Sequence, residues 1–369
     1  MGAIKSSFKV ALAGSAAASL ALLSACGQPP TDKDNGGSGN EYGNKDASFK
    51  ACMVTDSGGI DDRSFNESGW EGFKAAVDDN DDIFATYFQS NNSDDFAPNL
   101  SNATGRDCNI VIGVGGLMEK PITDIAEQNP EQRYGIVDGH VDAENVYSME
   151  FNAAESSFLA GYAAAGMSDS GTIATWGGMQ IPPVTIFMDG YVDGVEQYNE
   201  DNDDDVKILG WDVEKQEGSF TGDFEDSSKG KSLTENFIAQ GADIILPVAG
   251  PVGLGGASAV EAAGGDVSMV WVDADGYEAL PEEYREFVLT SSMKNISAAV
   301  QVALQNAYDE GDKGGRYVGT LENDGVELAP FHDFDDQVPS ELKDQVEDLK
   351  EQIISGDITV ESPSAPSEE

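Results

Sequence analysis

Asp56, Asp61, Asp62 and Asn66 crowd into one short stretch, ACMVTDSGGIDDRSFN from Ala51 to Asn66, together with Gly58, Gly59 and Phe65. Carboxylates accept hydrogen bonds from sugar hydroxyls or base N–H groups, an Asn amide both donates and accepts, and Phe65 adds an aromatic face. Paired glycines allow a tight turn and a close backbone approach. Such a set suits recognition of a small polyhydroxylated ligand. One member, Asp61 or Ser64, is expected to cap the helix that begins near Phe65, which leaves the rest of the cluster to be explained.

These residues need a scaffold, and the sequence supplies one. Cys52, Met53 and Val54 run into Thr55-Asp56 as a buried parallel strand would, and open α/β sheets bind ligands at the carboxyl ends of their strands. The alternation continues through the strand-like runs IFATYF, CNIVIGVG, YGIVDG and VYSMEF, with helices through Trp70 to Val77, near Phe96 and near Ile122. A helix from Ala153 to Gly166 leads into a second series: TIATWGG, VKILGW, DIILPVAG, SMVWVDAD and FVLTSSMK, again with helices between. Alternation of this kind means parallel sheets with right-handed crossovers. A chain of 369 residues overfills a single core, so the expected fold is α/β, with two doubly wound parallel-sheet lobes about a cleft.

The first lobe is expected to span 49–155 plus about 296–312, and the second 156–295 plus about 313–360, with 361–369 a disordered tail. The helix from Ile296 to Ala307 crosses back to the first lobe, and GVELAPFHDF crosses once more. The strand ends that should line the cleft carry Asp56, the Gly113 to Gly116 loop, Asp138, Gly177-Gly178, Gly250, Asp273 with Asp275, and Lys294. A hinge is expected at Phe151 to Ala154 and at Met293 to Ile296.

Several function classes are excluded by what surrounds these motifs. The formal net charge is −48, and with no basic stripe to meet phosphate, nucleic acid is not a partner. Asp78 to Asp82 and Asp201 to Asp205 lack the spacing of a calcium loop and read as solvated turns. His140 and His332 lack metal-ligand spacing, so neither a metal nor a cofactor is expected. No Gly-x-Ser-x-Gly elbow or Walker A loop occurs, and Gly113-Val114-Gly115-Gly116 lacks the dinucleotide-binding spacing.

Lys5 and Lys9 precede an apolar, small-residue run from Val10 to Leu23 that ends in Leu23-Ser24-Ala25-Cys26. Residues 1–25 read as a secretory signal with a lipoprotein box, which makes Cys26 the lipidated terminus and lipid the sole membrane attachment. From 26 to 48 the composition is that of a disordered tether. Cys52 and Cys108 then sit at the starts of two apolar runs in an exported chain. They are either bridged, if those strands are neighbours, or two buried thiols.

Taken in order, Thr55 to Asn66, Glu155-Ser156-Ser157-Phe158-Leu159-Ala160-Gly161-Tyr162, Gly218-Ser219-Phe220-Thr221, Gly241-Ala242-Asp243-Ile244-Ile245 and Thr290-Ser291-Ser292-Met293-Lys294 resemble the basic membrane protein (BMP) family. Its members are substrate-binding lipoproteins of ABC transporters, similar to the purine nucleoside receptor PnrA. The resemblance covers nearly all of the chain after the tether. It implies a type I periplasmic-binding-protein fold with a multi-strand hinge, and a membrane-anchored extracytoplasmic monomer. That protein would capture nucleosides, purines foremost, and deliver them to ABC permease and ATPase subunits. By the same resemblance Phe65 and Phe220 sandwich the base, Asp56 and Asn66 bond its edge, and Asp273 takes the ribose hydroxyls with Gly250 and Lys294 beside it. Asp273 and Lys294 could also pair with each other.

The chain departs from the family where Gly222 precedes Asp223, and the placement of Trp176 and Trp211 relative to the cleft is left open. A sugar receptor of the same fold is the alternative, and a surface lipoprotein with signalling or antigenic duties is a third reading. A nucleoside hydrolase fits poorly, because its Asp-x-Asp-Pro-Gly-x-Asp-Asp start would place Thr55 and Ser57 at two calcium ligands. The chain is therefore expected not to be an enzyme.

Overall fold

The computed structural model describes residues 40–367 apart from 310 and 312; the expected leader and Cys26 lie outside the described residues. The first lobe opens with β1 (Glu41–Gly43), β2 (Phe49–Val54), α1 (Phe65–Asp79), β3 (Ile83–Phe88), α2 (Phe96–Thr104), β4 (Ile110–Val114), α3 (Glu119–Gln128), β5 (Arg133–Val137) and β6 (Val146–Phe151). The second lobe follows with α4 (Ala153–Met167), β7 (Thr172–Gly177), α5 (Pro182–Asn202), β8 (Lys207–Leu209), the small pair β9 (Trp211–Asp212) and β10 (Glu217–Gly218), α6 (Ser227–Ala239) and β11 (Ile244–Val248). It continues through α7 (Gly253–Ala263), β12 (Ser268–Asp273), the short helices α8 (Gly276–Ala279) and α9 (Glu282–Arg285), and β13 (Val288–Lys294). Then α10 (Ile296–Tyr308) and β14 (Gly315–Gly319) return to the first lobe, and β15 (Val326–Leu328) and α11 (Ser340–Ser355) to the second.

The first sheet runs β1-β3-β2-β4-β5-β6-β14 and the second β15-β13-β12-β11-β7-β8. Within each, five parallel strands keep one doubly wound order: β3-β2-β4-β5-β6 in the first lobe and β8-β7-β11-β12-β13 in the second. An antiparallel strand, β1 or β15, closes one edge of each sheet. The central strands are near-continuous apolar runs because helices cover both faces; all of β4 and all of β11 are buried. Cys52 on β2 and Cys108, just ahead of β4, are joined in a disulfide with Cα atoms 5.9 Å apart, as the pairing of those two strands allows.

The second lobe is stiffened by α4 against α5. A Cβ on Gly161 would lie 2.1 Å from Tyr191 O, and one on Gly194 2.0 Å from Phe158 O, so only glycine lets these two backbones approach so closely. Three segments pass between the lobes, at Asn152, at Asn295 and through 320–325, and they are bonded to one another. Asn152 N donates to Gly319 O (2.8 Å), Asn295 N to Gly325 O (2.8 Å), and Leu321 N to Glu155 Oε2 (2.7 Å).

Four expected boundaries are corrected. The stretch expected to be tether up to residue 48 contains β1, held antiparallel to β3 while Tyr42 Oη donates to Asp78 Oδ1 at 2.9 Å. Residues 315–319, expected in the second lobe, form β14, because pairing in parallel with β6 extends the first sheet. The first crossing falls at Asn152 rather than after 155, since α4 packs on α5 and β13. The tail expected to be disordered from 361 is docked as far as Ser367: Ser362 Oγ donates to Asp189 Oδ2 (2.6 Å), and Ser364 Oγ lies 2.7 Å from Thr185 Oγ1.

Candidate functional site

In a doubly wound sheet the strand order reverses beside the first strand, and loops leaving on either side of that reversal part to form a crevice. Here the reversal lies between β2 and β4 in the first lobe and between β7 and β11 in the second. The loops after β2, β4 and β11 all line one cleft, of about 550 Å3 of empty space counting its mouth.

The first-lobe wall is organised by Asp62. Its buried carboxylate accepts from the backbone N–H groups of Ser64 (3.2 Å), Asn66 (2.8 Å) and Glu67 (3.1 Å), so it, rather than Asp61 or Ser64, caps the first turn of α1. Asn66 Nδ2 also donates to Asp62 (3.0 Å), and Asn66 Oδ1 accepts from Asp56 N (2.9 Å). The Asn66 amide, expected to read a ligand, is thus engaged at both ends and fixes the backbone of Asp56. Asp56 Oδ1 accepts from Ser57 N at 2.6 Å. Its Oδ2 lies against Gly115, where a Cβ would come within 2.4 Å and where φ is +126°; glycine is required there both for backbone and for space. Burial pushes Asp56 up to about 7 and Asp62 up to about 6, against the opposing pull of the N–H groups each accepts from.

Opposite them, Lys294 ends β13 with its side chain 1% exposed. Its ammonium is 2.6 Å from Asp138 Oδ2 in the first lobe, 3.5 Å from Asp273 Oδ1, and 4.4 Å from the centroid of the Phe187 ring. A buried ammonium needs such company, since an unpaired one is strongly disfavoured. Burial pushes Asp138 up to about 6, with Lys294 pulling the other way. Asp273 is buried, accepts from Ser64 Oγ across the cleft through Oδ2 (3.3 Å), and leaves Oδ1 without a hydrogen-bond partner. The Lys294–Asp138 and Ser64–Asp273 contacts join the two lobes, so the cleft is closed.

Three aromatic rings line the cavity, Phe65 from the first lobe and Phe187 and Phe224 from the second; Phe187 lies under the Lys294 ammonium. Phe220 does not. Its segment pairs alongside β7 at Gly177, and its ring meets Trp211 edge-on with centroids 5.8 Å apart. Phe224 fills the space that Gly178 leaves, where a Cβ would be 2.3 Å from the ring, after the chain turns at Gly222 with φ +86°. The two tryptophans left open lie away from the cleft: Trp176 is fully buried with Nε1 donating to Thr234 (3.0 Å), and Trp211 Nε1 donates to Asp189 (2.8 Å).

Of the expected site residues, Asp56, Phe65, Asn66, Gly250, Asp273 and Lys294 are brought together on the cavity. At Gly250 φ is +47° and a Cβ would meet no protein atom within 4 Å, so the space beside it belongs to the cavity. Asp138, expected at a strand end on the cleft but given no ligand contact there, also lines the cavity, as does Phe224, which was not expected. Asp138 is visible in sequence as a strand end, whereas Phe224 is marked only by being a second aromatic after the Gly-Ser-Phe-Thr motif. Among the described residues no group of three or more His, Cys, Asp or Glu is placed to hold a metal ion.

Two α/β lobes on a three-segment hinge, closed over a cleft at facing strand ends, give the fold of the periplasmic-binding-protein type. A solved ABC transporter solute-binding protein from Aeropyrum pernix K1 has this fold: TM-score 0.77 at 23% identity, covering 85% of this chain and 94% of that one. Residues 49–364 match the Bmp family, described as ABC transporter substrate-binding protein PnrA-like, and the chain belongs to that family. A relative from Lactococcus lactis subsp. cremoris (strain MG1363), named ABC transporter nucleoside-binding protein BmpA, is 32% identical over 96% of this chain and 98% of its own length. A relative from Listeria innocua serovar 6a, named CD4+ T-cell-stimulating antigen, is 30% identical over 93% of this chain and 95% of its own length. The protein is thus an ABC transporter substrate-binding protein and not an enzyme, and such proteins work with permease and ATPase subunits.

Proposed function

We propose that this protein captures nucleosides, purines foremost, and delivers them to an ABC importer from the outer face of the membrane. The observation that carries this reading is that aromatic rings from opposite lobes, Phe65 and Phe224, line one cavity with a buried acceptor, Asp273 Oδ1, that receives no hydrogen bond. A flat base between two rings gains stacking from both. A vicinal diol would give the orphaned carboxylate oxygen the donors it lacks, with Lys294 donating to the same hydroxyl oxygens. Asp56 Oδ2, freed by Gly115, faces the base edge as an acceptor. The relative named as a nucleoside-binding protein supports the same ligand class. Anchoring follows from Leu23-Ser24-Ala25-Cys26, with lipid on Cys26 and the protein acting as a monomer.

Isothermal titration with adenosine, guanosine, inosine, uridine, cytidine, ribose and glucose tests the reading. Nucleosides are expected to bind while free sugars give no heat. Binding of sugars alone would make this a sugar receptor of the same fold.

A further inference from the structure

Lys294 is the one cation among the described residues that line the cleft, and it shares that lining with Asp56, Asp62, Asp138 and Asp273. Its ammonium is already committed: to Asp138 at 2.6 Å, to Asp273 at 3.5 Å, and to the face of Phe187. We infer that Asp138 determines specificity against phosphorylated ligands by occupying the cleft's single ammonium. The inference rests on the nucleoside reading and deepens it, restricting the ligand to the unphosphorylated form.

A phosphate monoester brought into this cleft has only Lys294 to pair with. Taking that ammonium from Asp138 leaves a buried carboxylate uncompensated beside a second one and adds a dianion to the same enclosure. Both changes are costly in a site removed from water. Neutral hydroxyls meet no such conflict, because they donate to the carboxylates and accept from the ammonium while the pair stays in place. Rejection achieved by an unfavourable charge contact is a common source of selectivity between ligands of similar shape.

Asp138 is the member of this group whose charge can be removed with least disturbance. Asparagine keeps its shape and can still accept from Lys294, and it tolerates the left-handed backbone that Asp138 adopts, φ +61°. Asp138→Asn therefore releases the ammonium and removes one negative charge without emptying the position.

The test is titration of the wild-type chain and of Asp138→Asn and Asp138→Glu with two ligand pairs, adenosine against its 5′-monophosphate and ribose against its 5-phosphate, at fixed ionic strength. Wild type is expected to prefer the unphosphorylated member of whichever pair binds by about 100-fold or more. Asp138→Asn should narrow that ratio by about tenfold or more, and Asp138→Glu, which keeps the charge, should leave most of it. An unchanged ratio in Asp138→Asn, or a wild type that takes the phosphate ester as readily as the parent, overturns the inference while nucleoside binding stands. Failure of wild type to bind adenosine or any other nucleoside overturns the nucleoside reading instead, and the ribose pair then decides the role of Asp138. If Asp138→Asn does not fold, Asp138→Ser gives the same ratio test.

Discussion

Asp138 and Asp273 hold equivalent places in the two lobes, at the ends of β5 and β12, each the fourth strand of its doubly wound set. Each adopts a left-handed backbone, φ +61° and +68°, and each turns its carboxylate toward the same ammonium, that of Lys294. Left-handed φ is uncommon outside glycine, and Asp is among the residues that tolerate it best. The fold thus delivers one carboxylate from each lobe to a single cation, and lobe closure assembles the cluster.

Replacing Lys294 by methionine keeps the apolar stem and removes the charge. Asp138 and Asp273 would then face each other without compensation, and breaking a buried pair from one side costs about 3–5 kcal/mol. Urea unfolding should show a loss of that order, together with loss of ligand binding by titration. Undiminished stability would mean that the carboxylates are neutral in the closed cleft and the ammonium compensates nothing.

The aromatic rings make a sharper comparison. Phe65→Ala and Phe224→Ala should each weaken nucleoside binding by about 1–3 kcal/mol, the usual worth of a base stacked on an aromatic ring, with the fold intact by circular dichroism. Phe220→Ala should chiefly lower the melting temperature, because that ring packs on Trp211 and Gly177. If Phe220→Ala abolishes binding while Phe224→Ala leaves it untouched, the ring on the ligand is Phe220 after all.

That exchange of Phe220 for Phe224 illustrates what the sequence could and could not disclose. The alternation of apolar runs and helices gave the two lobes, and strand ends gave the lining, because both follow from local periodicity and a general rule about open sheets. Which aromatic of SFTGDF faces the ligand depends on Phe220 pairing beside Gly177, a long-range contact with no local mark. β1 and β14 were hidden for the same reason, each being short and half-polar until its partner strand is known. By contrast α11, though not anticipated, carries a local mark, with Leu342, Val346, Leu349 and Ile353 at helical spacing and all buried. The Asp138–Lys294 pair joins residues far apart in the chain, and neither one's motif names the other.

Burial holds Asp56 at about 7, above its ordinary value, in the folded protein. The folded state therefore binds this proton more tightly than the unfolded chain, where a carboxyl titrates near about 3.9. The resulting stabilisation is fully present below that value and is lost as pH rises through about 7. Subtracting the stability of Asp56→Asn from that of wild type cancels the other titrating groups. In ligand-free protein this difference should favour wild type more at pH 5 than at pH 8, by on the order of 1–3 kcal/mol. A difference that does not vary with pH would show that Asp56 is hydrated and ordinary.

A net charge of −48 makes the folded surface repel itself, and salt weakens that repulsion as the screening length falls from about 10 Å at 0.1 M to about 3 Å at 1 M. Melting temperature should therefore rise steadily over that range in potassium or sodium chloride. A flat or falling curve would mean that the acidic groups are spaced widely enough not to interact.

The C-terminal segment offers the last test, because it reaches from one lobe to the other. Ser362 and Ser364 bond to Asp189 and Thr185 on α5 of the second lobe, while Ser367 Oγ accepts from Arg316 Nη2 (3.5 Å) on β14 of the first. Asp189 is fully buried and also takes Trp211 Nε1 (2.8 Å) and Gln216 Nε2 (2.9 Å), so losing Ser362 leaves part of a buried carboxylate unsatisfied. Truncation after Val360 should cost about 1–3 kcal/mol of stability. Since contacts on both lobes favour the closed arrangement, truncation should also speed ligand release in stopped-flow measurements more than it slows capture. Stability lost with release unchanged would make the segment a brace for α5 alone, whereas faster release would show that it helps hold the lobes together.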